Sequence, residues 1–302
     1  MKKKVILTGA TGAIGVAVLK YCQELHWDVC AIVRPGSVRN QDLLKRYHVQ
    51  IIECDLSEIK NLCNNKQCQN ADYFIHLGWS GTFGDSRNDV SLQKANVQYA
   101  LDACEVAAKL GCEAYVFAGS QAEYGRVEGV LREDTPTFPE NEYGKAKLEA
   151  GMRTRQFCTD NGMRHIYVRI LSVYGPGDGA FTMVTSTISK LQEGISPQFT
   201  PGEQLWDYLY SEDAASALLL LCEKGKSDRI YCLGSGTERP LKEYIRAIGN
   251  IVNPNVELQI GALPYGEKQV MRLCADISAL KEDTGFEPAV SFEEGIQRMC
   301  LE

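Results

Sequence analysis

Tyr143 and Lys147 stand four residues apart in Tyr143-Gly144-Lys145-Ala146-Lys147. On a helix that spacing shares one face, so the Lys147 ammonium lies near the Tyr143 phenol. A neighbouring cation favours the phenolate and lowers its pKa, which suits the phenol to moving protons near neutral pH. Such pairs also occur by chance on helix surfaces. Two other stretches, Gly9–Gly15 and Phe117–Gly125, give this one meaning.

Lys4-Val-Ile-Leu-Thr8 is an apolar, β-branched run that stops at glycine, the pattern of a buried parallel strand. Gly9-Ala-Thr11-Gly12-Ala13-Ile14-Gly15 then opens a helix toward Leu25. Strand, glycine turn and helix form the context of a dinucleotide site. Gly9 permits the tight turn, Gly12 lets the backbone approach a pyrophosphate, and Gly15 lets helix and strand pack closely. The diphosphate meets free N–H groups at the helix N-terminus. In NAD-preferring sites an acidic residue near the end of the second strand holds the ribose 2′-hydroxyl. Here Asp28–Val33 runs into Arg34, with Ser37 and Arg39 beyond. A guanidinium pairs with a 2′-phosphate that a carboxylate would repel, so NADP(H) is favoured, with NAD possible. A solvated arginine at a loop start is the plain alternative.

The strand Gln50–Cys54 ends in Asp55-Leu56, where the carboxylate either accepts from an adenine amino group or caps the next helix. Ala71–Leu77 is a fourth strand, and Gly78-Trp79-Ser80-Gly81 leaves it beside the expected nicotinamide ribose. His76, inside that strand, reads as a satisfied core residue. Asn88–Leu110 reads as a long helix with Val90, Leu92, Val97, Leu101, Cys104 and Ala108 as apolar positions. The fifth strand, from Glu113, ends at Ser120, where doubly wound folds place ligands; an isolated serine there is otherwise a turn residue. The Tyr143 helix runs to about Asn161, and Arg164–Val173 is the sixth strand. Beyond Asp178 the alternation loosens into a helix over Phe181–Glu193, a polar connection over Ser196–Pro201 and a short strand over Asp207–Ser211. Arg229–Leu233 reads as one more sheet strand. The division is therefore 1–178 for the dinucleotide domain, with 207–235 returning to it, and 179–302 for a smaller substrate domain.

The chain has 302 residues, 44% apolar and 24% charged, ordinary for a soluble globular protein. Its formal net charge of −7 argues against a nucleic-acid surface. The apolar run after Met1-Lys-Lys-Lys stops too early for a signal peptide, and no stretch is long enough to span a membrane. The 12 cysteines show no Cys-x-x-Cys pair, so neither a zinc site nor a disulfide framework is expected, and a reduced cytoplasmic protein is.

With the glycine turn, Ser120 and the Tyr143/Lys147 pair in this order, the sequence resembles an extended short-chain dehydrogenase/reductase. More narrowly, it resembles the nucleotide-sugar epimerase/dehydratase family. The resemblance extends through Phe117-Ala-Gly-Ser-Gln-Ala-Glu-Tyr-Gly125, Val173-Tyr-Gly-Pro-Gly177, Asp207-Tyr-Leu-Tyr210 with Asp213, and Asp276…Thr284-Gly-Phe-Glu-Pro288. It implies an α/β fold: a doubly wound, mostly parallel Rossmann-type sheet with a smaller, interleaved C-terminal substrate domain. It also implies that Ser120 hydrogen-bonds the substrate oxygen, that Tyr143 exchanges its proton, and that Lys147 binds the nicotinamide ribose and lowers the Tyr143 pKa. A homodimer built on the helices at 88–110 and 143–161 is implied as well.

Departures narrow the reaction. Family dehydratases carry Asp-Glu after the catalytic hydroxyl; this chain has Gln121 and Ala122, which makes a 4,6-dehydratase unexpected. Ser172 stands where many relatives have Asn, and Trp206 where many have the Arg of a diphosphate contact. Trp206 either stacks on a base or packs the cover. Gln121, Ser172, Tyr174, Thr182, Gln204 and Trp206 are the substrate-side candidates. The expected activity is NAD(P)H-dependent reduction of a nucleotide-linked 4-keto, 6-deoxy sugar. A UDP-hexose 4-epimerase with tightly bound NAD is the alternative. A binding protein using the fold without chemistry is a third reading, and the presence of both Tyr143 and Lys147 opposes it.

Overall fold

The computed structural model describes residues 2–37, 46–47, 49–227 and 229–301; Arg39 lies outside them. The central sheet is built from β1 (Lys4–Thr8), β2 (Asp28–Val33), β3 (Gln50–Glu53), β4 (Tyr73–His76), β5 (Ala114–Ser120), β6 (Arg164–Ile170) and the strand Ile230–Leu233. Its order is Ile230–Leu233, β6, β5, β4, β1, β2, β3, and every pairing is parallel. The order reverses between β1 and β4, and the carboxyl ends of strands flanking such a switch point are where open α/β sheets hold ligands.

Both sheet faces are covered, which is why the central strands read as continuous apolar runs. On one face α1 (Ala13–Glu24) and the helix Ser211–Lys224 bury Val18, Leu19, Ala215 and Leu218. On the other, the helices Val90–Lys109 and Glu142–Asp160 bury Val97, Cys104, Ala146, Ala150 and Cys158. Asp89 caps the first of these helices through the N–H groups of Ser91 and Leu92, and Asn141 caps the second through Gly144 N–H at 2.8 Å. Val90, expected inside, is 47% exposed at that first turn.

His76 is buried in the core as its strand suggested, but only half satisfied, since its Nε2 has no hydrogen-bond partner. Its Nδ1 is hydrogen-bonded to Thr8 Oγ1 at 3.0 Å, and burial pushes the imidazole down to about 3, keeping it neutral.

The smaller unit has its own core of Tyr174, Val184, Ile188, Leu191, Tyr210, Tyr244, Ile248, Phe292 and Ile296. Its helix over Met183–Gln192 is two residues shorter at the start than the pattern suggested, because Thr182 takes the cap position. The polar connection contains a short strand, Gln198–Phe199, paired with Gln259–Ile260. Interleaving goes beyond Ile230–Leu233: Leu273, Ala275, Ile277, Leu280 and Phe286 also pack into the core of the large sheet. Asp207 is fully buried and accepts from Ser235 N–H and O–H, Gly236 N–H and Ala275 N–H, which pins the returning segments to one another.

Candidate active site

A cavity of about 330 Å³ opens at the switch point, lined by Gly9, Thr11, Val33, Arg34, Ser37, Cys54, Asp55, Leu56, Gly78 to Gly81 and Tyr99. Gly9 has φ +71°, and a Cβ there would lie 2.9 Å from Gly78 N, so the turn and the loop after β4 meet only because the residue is glycine. Leu77 is part of the same contact. Gly12, Ala13, Ile14 and Gly15 form the start of α1, whose first turn carries neither a capping side chain nor an acidic residue. Its positive end therefore faces the cavity uncompensated, the arrangement that holds a diphosphate. The residues present fit a dinucleotide.

Arg34 is exposed at the cavity rim, with the Asp55 carboxylate close enough to be stabilised by its charge. Both alternatives for Asp55 bear on one residue. Its Oδ1 caps the 3₁₀ segment Leu56–Asn64 by accepting from Ser57 N–H and O–H, while the residue itself lines the cavity. Cys54 and Tyr99 were not foreseen, and neither carries a local sequence signal.

Next to Trp79 in the cavity wall, four stretches converge. Ser120, at the last position of β5, is 9% exposed, and its Oγ accepts Ala122 N–H at 3.2 Å. Lys147 is 3% exposed and donates to the Ala118 carbonyl at 2.7 Å, with its ammonium 3.9 Å from the Trp79 ring centroid. Tyr143 is half-buried between Trp79, edge-on at 6.3 Å, and the Arg87 guanidinium, 4.6 Å above its ring.

The expected lowering of the Tyr143 pKa by Lys147 does not occur. Burial raises the phenol above its ordinary value, opposed by the Ser120 hydroxyl and then the Arg87 charge. Lys147 is turned toward Ala118, 5.9 Å from the Tyr143 ring, and burial brings its own pKa down to about 7. At neutral pH the phenol therefore carries its proton. Arg87 was missed because it sits in a non-periodic loop, Gly84–Asn88, with nothing in its spacing to mark it.

The substrate-side candidates do not gather as a set. Tyr174 is buried, its hydroxyl donating to Phe292 O at 3.1 Å, so it packs the small core instead of facing a ligand. Gln204 is buried, accepting from Tyr265 O–H at 3.2 Å. Trp206 donates from Nε1 to Ser172 Oγ at 2.8 Å, so these two candidates satisfy each other and the indole is partly packed in the cover. Thr182 is a helix cap, and Gln121 is half-buried in the turn after Ser120. Among the described residues no cluster of His, Cys, Asp or Glu could hold a metal, the cysteines are free thiols, and no helix is long and apolar enough to cross a membrane.

The sequence model of the NAD-dependent epimerase/dehydratase family matches residues 5–234. The chain belongs to that family. Its members are enzymes of the extended short-chain dehydrogenase/reductase type. The CDP-abequose synthase of Salmonella typhimurium is 24% identical over 99% of this chain and 98% of its own length. The UDP-glucose 4-epimerase of Azospirillum brasilense is 24% identical over 99% of this chain and 91% of that protein. The solved UDP-glucose 4-epimerase of Thermotoga maritima, determined with UDP-glucose, superimposes with a TM-score of 0.88 at 24% identity, covering 99% and 100% of the two chains. The family resemblance drawn from the motifs and the Rossmann-type sheet both hold.

Proposed function

We propose that this family member reduces the 4-keto group of a nucleotide-linked, 6-deoxy sugar, with NADPH as the preferred cofactor. The observations that carry the reading are Arg34 at the rim of the cavity, where β2 ends without a carboxylate, and Gln121 and Ala122 in place of a dehydratase's acid and base. Tyr143, which burial keeps protonated, is available to give its proton to the alkoxide that hydride addition forms. An oxidation begins instead by taking a proton away.

Bound NADPH supplies the hydride. Tyr143 donates the proton, the Ser120 hydroxyl hydrogen-bonds the same sugar oxygen, and Lys147 holds the nicotinamide ribose. Lys147 spends one donor on Ala118 and keeps two for that task. Gly9, Thr11, Gly12, Ala13, Ile14 and Gly15 seat the diphosphate; Asp55, Leu56 and Leu77 frame the adenosine and nicotinamide ends. Arg34 pairs with the 2′-phosphate, since β2 ends without a carboxylate. Gln121 and Ala122 lack the acid and base of a dehydratase, and Ala122 is buried.

The second reading is a UDP-hexose 4-epimerase retaining NAD, supported by the Azospirillum relative and by the family's NAD dependence. A homodimer through the helices Val90–Lys109 and Glu142–Asp160 belongs to the proposal; Met152 on the second is 63% exposed. So does a reducing, cytoplasmic setting, which suits the free cysteines. The test is of the cofactor. Protein is denatured to identify any released nucleotide, then emptied protein is titrated with NADPH and NADH. A tenfold or greater preference for NADPH is expected on the order of a charge-assisted bidentate pair; retained NAD selects the epimerase.

A further inference from the structure

Directly behind Ser120 lies a buried charged assembly that the chemistry above leaves unused. Glu123 is fully buried. Its Oε1 accepts the Ser120 backbone N–H at 2.8 Å, and its Oε2 accepts Tyr167 O–H at 2.6 Å and Arg169 Nε–H at 2.7 Å. With Ala122 N–H on the Ser120 hydroxyl, this is a reciprocal capping box wrapped around one residue. Arg169 is 3% exposed and lies 4.5 Å over the Tyr124 ring.

The surrounding backbone is cut to fit this assembly. A Cβ on Gly119 would come 2.6 Å from Glu123 Oε1. A Cβ on Gly151 would overlap the Tyr167 ring and hydroxyl, so the helix carrying Tyr143 and Lys147 approaches β6 closely only through that glycine. The chain of contacts runs from the Ser120 N–H through Glu123 and Tyr167 to the Gly151 face of the catalytic helix.

A buried ion pair is poor value as a stabiliser, because an apolar pair of similar volume commonly serves as well or better. Its position at the last residue of β5 is what needs a reason. We propose that Glu123, braced by Arg169 and Tyr167, is a positioning residue that fixes Ser120 relative to Tyr143 and Lys147. This rests on the reading of those three as the reacting groups. The charged and titratable groups facing Glu123 are Arg169 and Tyr167 from β6, Tyr124 beside Arg169, and Tyr143 and Lys147 from the helix. Its charge opposes the burial that lowers the Lys147 pKa and adds to the elevation of Tyr143.

The test uses the full-length chain as Glu123→Gln and as the double variant Glu123→Val/Arg169→Leu, which removes both buried partners and strands neither charge. Ser120 amide exchange and the Tyr143 titration are read by NMR, and neither needs a substrate. In the folded double variant, Ser120 amide exchange is expected to accelerate tenfold or more by loss of its acceptor. kcat is expected to fall on the order of 10²-fold with KM within about threefold, the signature of a misplaced reacting group. Glu123→Gln keeps an acceptor for Ser120 and should recover most of that loss, with the Tyr143 titration moved down. A folded double variant with wild-type exchange and kcat within about twofold overturns the proposal. Should the double variant not fold, Glu123→Gln decides: a shifted Tyr143 titration with unchanged cofactor affinity supports it, and an unshifted titration with full kcat overturns it. Wild-type protein inactive on every 4-keto sugar nucleotide, with the Ser120 exchange effect intact, counts against the reductase reading alone.

Discussion

Two walls of the molecule, the sheet side that carries Ser120 and Tyr143 and the side built on the small core, are built differently. On the Rossmann side, Ser120, Tyr143 and Lys147 are held by elements with well-defined ends. β5 terminates at Ser120, Asn141 caps the helix of Tyr143 and Lys147, and Lys147 is locked to Ala118. On the small-domain side, polar groups expected to meet the substrate are paired within the protein: Trp206 with Ser172, Gln204 with Tyr265, and Tyr174 with Phe292. The first wall presents unspent chemistry, and the second has largely consumed its own.

Substitutions across the two walls should separate sharply in size. Tyr143→Phe is expected to lower kcat by about 10²–10⁴-fold through loss of the proton donor, with cofactor affinity preserved in the same preparation. Near-wild-type turnover would remove Tyr143 from the chemistry. Arg34→Asp replaces a cation by an anion at the cavity rim. It should weaken NADPH by about 10–100-fold and NADH by little, as read by fluorescence titration. Equal losses would mean that Arg34 is only a solvated loop residue.

A third change concerns stability. In the folded state the Lys147 pKa lies at about 7, below its ordinary 10.5, so burial of the charged form opposes folding at low pH. That penalty is complete below pH 7 and fades as pH rises toward 10.5, where the unfolded chain also loses its proton. Lys147→Met should therefore gain relative stability at pH 6 compared with pH 9, by on the order of 2 kcal/mol in urea denaturation. A pH-independent difference would show that Lys147 is not desolvated.

The smallest effect belongs to the second wall. Tyr174→Phe loses one buried hydrogen bond to Phe292 O and should cost about 1 kcal/mol of stability, with kcat/KM changed less than threefold. A large rise in KM there would restore Tyr174 as a substrate contact.

Legibility in the sequence followed the same divide. Gly9 to Gly15 and Ser120 were readable because strand ends and glycine turns are local events, fixed by a few adjacent residues. The Ser120-x-x-Glu123 capping box is also written locally, as is Arg169 between Val168 and Ile170 near the end of its strand. Arg87, Tyr99 and the Trp206–Ser172 bond were not readable: each depends on segments far apart in sequence meeting across the fold. Helical spacing does bring the Lys147 ammonium to 5.9 Å from the Tyr143 ring, but burial outweighs it in setting the phenol's pKa. Helical spacing places Cβ atoms on one face, but burial and the Ala118 carbonyl decide where the ammonium goes.

The most direct measurement is turnover of NADPH with 4-keto-6-deoxy sugar nucleotides, following absorbance at 340 nm and identifying the sugar product, with Tyr143→Phe alongside. Stoichiometric oxidation of NADPH, one reduced sugar per cofactor and collapse of the rate in the variant are the predicted result. Protein that instead carries NAD and interconverts UDP-hexoses with no net cofactor consumption would contradict the account.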